Sequence, residues 1–98
     1  MEEKKIRKFQ VNPNFLKREI GGESVLVPIG DAGMFENSVL SLNRSCSFLW
    51  DAFQEPITVD EVIAKTLEHF EGDQNEIIGG VLSFVNDYLR ADLLREVE

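Results

Sequence analysis

His69 and Cys46 are the only histidine and the only cysteine in the 98 residues, and together they bound the chemistry this chain can do. A protein metal site needs several convergent ligands, and no second His or Cys stands near either residue, so no metal site is expected. Cys46 has no histidine at helical reach to act as its base, which leaves it as a small apolar packing group. His69 falls near the end of a helical pattern, where an imidazolium suits the dipole. The pair Asp60-Glu61 falls at a helix start, where carboxylates favour the positive end of the dipole and need no acid–base role. Gly21-Gly22 and Gly79-Gly80 lack the following Lys-Ser/Thr of a phosphate loop. Trp50 fits a core anchor better than a ligand platform, and Asn43 fits a helix cap better than a binding group. No catalytic residue, metal or cofactor is assigned, and the chain is not expected to be an enzyme.

These residues are placed by a simple order of elements. "NFLKREI", "SVLVPI" and "SVLSL" read as three antiparallel strands, with Gly21-Gly22 as a two-residue hairpin turn between the first two. Pro28 cannot donate to a ladder and belongs at a strand end or edge. Gly30 to Asn37 is a longer loop. The stretch "SVLSLNRSCSFLW" then switches from strand to helix period at Asn43. Helix one is expected from Arg44 to about Gln54, before Pro56. Helix two follows the capping box "TVDE" at Thr58, with Val59, Val62, Ile63, Leu67 and Phe70 as its apolar face and Gly72 as its stop. Asp73 caps helix three, which reaches roughly Ala91, and "LLREV" suits a short strand or an extended tail. Three strands then three helices predict an α+β domain with helices on one sheet face, in a winged helix-turn-helix-like order. The expected division is a charged N-terminal tail over residues 1–12 and one domain over 13–95.

The formal net charge of −8 is uneven. Residues 1–20 carry six basic and three acidic side chains, whereas the rest carries four basic and fifteen acidic ones. An acidic body repels phosphate backbones, and from Glu71 to Glu98 seven acids face two arginines, so a nucleic-acid partner is not expected. One cysteine cannot form an intramolecular disulfide, which suits a reducing cytoplasm. "MEEKKIRKFQ" has no apolar core of a signal peptide, and no apolar run approaches the roughly 20 residues that span a membrane. A cytoplasmic protein without a membrane partner is expected.

Helix three is more apolar than one packing job requires. On a 100° wheel Ile77, Ile78, Val81, Leu82, Phe84, Val85, Tyr88 and Leu89 span about 160°, wider than the stripe a single core needs. Either the sheet and the other helices cover all of it, or the margin at Ile78, Leu82, Val85 and Leu89 lines a groove for a partner segment. Gly79-Gly80 inside this helix would suit a notch for close approach of helix one or a partner.

Leu42-Asn43 with Ser45, Cys46, Leu49 and Trp50 resembles the "LN-x-T-G-x-x-I-W" signature of the pyrroloquinoline quinone synthesis protein D family. "FLKREIGGESVLVPI" is similar to that family's opening hairpin, and "ITVDEVIAKTLEHFEGD" to its "T-V-x-E-I-x-x-x-L-x-x-x-Y" segment. "VLSFVNDYLRADLL" is similar to its last helix and tail, so the resemblance covers roughly residues 14–94. Cys46 replaces a usual glycine, and Asp92 stands where a glycine commonly ends the last helix. The resemblance implies a recognition domain that binds the leader of a ribosomally made precursor peptide and presents it to a modifying enzyme, often a radical S-adenosylmethionine enzyme. It implies that the leader adds as a strand to the third strand and lies against helix three. The expected contacts are Val39, Leu40 and Ser41, with Ile78, Leu82 and Val85. The alternatives are a winged-helix DNA-binding transcription factor and a structural interaction domain, for instance a homodimer through the exposed strand edge.

Overall fold

In the computed structural model, which describes residues 6–29 and 40–97, Gly21 and Gly22 both take positive φ, 59° and 83°. Two successive positive φ values are what a tight hairpin turn with the right-handed strand twist requires. The turn joins β2 (Phe15–Ile20) to β3 (Glu23–Pro28), paired in unbroken register from Phe15↔Pro28 to Ile20↔Glu23. Next to β3 runs β4 (Leu40–Leu42), through Leu26↔Leu40 and Ser24↔Leu42. This is the expected antiparallel sheet of three strands, in the order β2-β3-β4. Lys17 fastens its inner face to the first helix: Nζ donates to Asp51 Oδ2 at 2.6 Å and to Ser47 Oγ at 2.9 Å.

Three helices follow, each opened by the cap its sequence offers. Asn43 Oδ1 accepts from the Cys46 N–H at 2.8 Å and starts α1 (Arg44–Ala52). The capping box of Thr58 and Glu61 is complete at α2 (Val59–His69), and these bonds hold the Glu61 carboxyl below its usual range. Asp73 accepts from the N–H groups of Asn75 and Glu76 at the head of α3 (Gln74–Arg90). The expected three-stranded sheet followed by three helices is present, so the α+β, winged-helix-like reading stands.

The N-terminus departs from the sequence reading. Residues 8–11, read as part of a charged tail, form strand β1 (Lys8–Val11) at the centre of a second antiparallel sheet. Its neighbours are β5 (Ile57–Thr58) and β6 (Leu94–Val97), the latter being the short strand expected in "LLREV". "KFQV" alternates as a half-buried strand should, with Phe9 and Val11 in the core. Four residues among lysines and arginines are too few for that alternation to stand out, and the partner strand lies more than eighty residues away.

Asn12 locks the two chain ends together. Buried to 3% exposure, its Nδ2 donates to the Asp92 carbonyl at 2.7 Å while its Oδ1 accepts from the Asn14 N–H at 2.9 Å. Asp92 takes φ 60°, the left-handed turn a glycine occupies more easily, and its carboxylate pairs with Arg95. The core drawn from both sheets and all three helices centres on Trp50, Phe53, Val62, Val81 and Leu94, each no more than 1% exposed. Phe53 stacks on Phe84, ring centroids 6.1 Å apart.

Phe9→Ala separates a strand from a tail. Because Phe9 is buried, the substitution should cost about 3 kcal/mol of unfolding free energy in urea denaturation. An unchanged midpoint would return residues 8–11 to the status of a tail.

Candidate functional site

The site expected from the sequence has a strand half and a helix half. The strand half lies at β4, the last strand of its sheet, which pairs only with β3 among the described residues. Leu40 is 43% exposed and Ser41 is exposed, while Leu42 turns into the core. Val39 lies outside the described residues. Asn43 limits this strand by starting α1 immediately after Leu42. A polar depression of about 340 Å³ sits at the joint, lined by Leu42, Asn43, Arg44 and Ser47 with the hairpin residues Gly22 to Ser24.

The helix half is divided. The wide apolar stripe of α3 serves two openings on different sides of the helix. Ile77, Val81 and Phe84 face a cleft of about 310 Å³ closed by Cys46 and Leu49 of α1 and by Thr66 and Phe70 of α2 and its end. Leu82, Val85 and Leu89 face a broader groove of about 610 Å³ against Ile6, Arg7, Phe9 and the start of α2 at Thr58 to Asp60. Of the six expected contact residues, Leu82 and Val85 share that second groove, and Leu82 is half exposed. Ile78 is half-buried and lines neither opening, and Leu40 and Ser41 line neither. Sequence reasoning missed Phe9 and Ile6 as groove walls, because both fall in the stretch taken for a tail.

The residues with chemical potential sit in packing roles. Cys46 lies on the cleft wall beside the Tyr88 hydroxyl, and burial pushes its thiol up, so the neutral form prevails at neutral pH. The Tyr88 hydroxyl is likewise raised, by burial first and then by Cys46. The His69 ring stacks on Phe48 at 4.3 Å between centroids and meets Phe70 edge-on at 4.7 Å. Among the described residues no group of three His, Cys, Asp or Glu side chains is arranged to hold a metal ion. Among them, too, no helix is long and apolar enough to cross a membrane.

Gly79 and Gly80 give an unexpected result. A Cβ built on either meets nothing within 4 Å, so helix one does not approach them closely and the notch expected for it is absent. Gly80 instead leaves bare backbone on the wall of the interhelical cleft.

The order of elements, the short β4 and the "LN" joint agree with one family, and the family model of coenzyme PQQ synthesis protein D matches residues 23–94. The chain belongs to this family. The match runs from the first residue of β3 to the first of β6, so it takes in β4, the three helices and the whole cleft between α1 and α3, but not the Ile6, Arg7 and Phe9 wall of the second groove. The hairpin's first strand and β1 stand outside it. No curated protein and no solved structure matches the chain. PqqD family members are accessory proteins of biosynthesis, without catalytic activity of their own.

The open surroundings of both glycines make a stability forecast. Gly79→Ala and Gly80→Ala should each raise unfolding free energy by up to about 1 kcal/mol, the helix-propensity difference, since neither new methyl meets a neighbour. A loss of stability in thermal unfolding would mean that one of them is held by close packing.

Proposed function

We propose that this PqqD family member is a cytoplasmic, non-catalytic chaperone that binds the leader of a ribosomally made precursor peptide and presents it to a modifying enzyme. A radical S-adenosylmethionine enzyme is the class of partner the reading favours. The observation that carries it is a terminal strand, β4, ending a three-stranded sheet in a chain of this family. An edge strand offers main-chain N–H and C=O groups that a second extended chain can pair with whatever its sequence. Specificity then has to come from alternate side chains entering apolar recesses, and α3 supplies two of them.

In this reading Leu40 and Ser41, with Val39, form the strand contact. Ile78, Leu82 and Val85 form the helix contact, with Leu82 and Val85 reaching the peptide through the groove beside β1. Acidity supports a peptide partner over a nucleic acid, since the −8 net charge favours basic or neutral ligands.

Calorimetric titration with the synthetic leader of any small peptide found encoded beside this gene tests the proposal. Leu40→Glu and Leu82→Glu, both at exposed positions the fold tolerates, should each weaken binding about tenfold by placing a charge where an apolar contact was. No binding by the unaltered protein would overturn the function. Binding indifferent to both substitutions would overturn the assigned surface.

A further inference from the structure

The cleft between α1 and α3 combines an apolar floor with an acidic rim. Cys46, Leu49, Ile77, Val81 and Phe84 form the floor, and Gly80 contributes bare backbone to one wall. Glu71 and Glu76 stand on the rim, exposed, and neither carboxylate has a hydrogen bond or ion pair among the described residues. Arg44 lies over the Phe70 ring at 6.0 Å, yet even with it the rim stays net negative.

Gly80, unlike Gly79, lies on the cleft wall and leaves room there for an occupant. A glycine in a helix interior is unfavourable relative to alanine, and among the described residues, its own helical turn apart, nothing comes within 4 Å of where its Cβ would lie. Packing among the described residues therefore gives no reason for the position to be bare. The cleft is about 310 Å³, at the small end of ligand pockets, which suits a side chain or two rather than a whole helix. It also begins only three residues beyond the end of β4, because Asn43 starts α1 at once and brings Ser45 and Cys46 to its wall.

We propose that this cleft seats one aliphatic or aromatic side chain of the bound peptide, and that the residue next to that anchor is Lys or Arg. The floor takes the apolar group and Glu71 and Glu76 take the cation. The inference rests on the peptide-binding reading and adds a sequence requirement to it.

Two small probes test it on the full chain: N-acetyl-Leu-Lys-amide and N-acetyl-Leu-Glu-amide, followed by amide NMR shifts at low salt. The Leu-Lys probe should shift Leu49, Ile77, Gly80 and Phe84 and slow iodoacetamide alkylation of Cys46, the only thiol in the chain. It should bind about three- to fivefold tighter than Leu-Glu, the range exposed ion pairs give. Glu71→Gln with Glu76→Gln should erase that preference while leaving the shifts in place. Gly80→Leu should block both probes and Gly79→Leu neither; if Gly80→Leu does not fold, the glutamine variants carry the test. Equal binding of the two probes, or no shift in the cleft at any soluble concentration, overturns the proposal. If a leader peptide shifts β4 while the dipeptides leave the cleft untouched, strand addition survives and the anchor proposal fails. The reverse pattern keeps the cleft and removes strand addition.

Discussion

The turn at Asn43 fixes where everything after it lies. Its side-chain oxygen accepts from the Cys46 N–H and the Ser45 hydroxyl, so β4 ends at Leu42 and α1 begins at Arg44 with only Asn43 between them. Leu42 is then buried on one side of the joint, and Leu49, Trp50 and Phe53 are buried on the other. Moving the start of the helix by one residue would rotate its face by about 100°. Trp50 and Phe53 would leave the core, and the Phe53–Phe84 stack that seats α3 would be lost. One cap thus sets both the length of the edge strand and the position of the helix that carries both apolar openings.

The caps, the hairpin turn and the apolar faces were legible in the sequence because each is a local signal. Asn43, Thr58 with Glu61, and Asp73 all cap the helices they precede, and Gly21-Gly22 takes the positive φ its turn type demands. What escaped notice depends on distant partners. "KFQV" becomes a strand because β6 pairs with it from the other end of the chain, and Asn12 completes that junction through the Asp92 carbonyl. The width of the α3 stripe was also legible, but its meaning was not. A helical wheel gives angles, not neighbours, so it could not show that the N-terminal segment at Ile6 to Phe9 would wall a groove on the Leu82 side while α1 and α2 flanked the Ile77 side.

That division bears on function. A stripe shared between two openings lets one helix hold the domain together and still leave apolar surface for a ligand. The core residues Val81, Phe84 and Val85 are buried, while Leu82 remains half exposed and Gly80 bare. Family membership supplies the kind of role, an accessory protein, and the edge strand supplies a physical means of holding an extended peptide. Backbone pairing is indifferent to sequence, so in the proposed role discrimination among peptides falls to the recesses of α3 and the charge around them.

Hydrogen–deuterium exchange at β4, with and without the cognate leader peptide, tests the central claim most directly. In the free protein the outward-facing amides of residues 40–42 have no strand partner among the described residues and should exchange quickly. Strand addition predicts that the leader slows exchange there as new ladder bonds form, together with amides on α3. Leader binding that leaves β4 exchange unchanged would contradict the account.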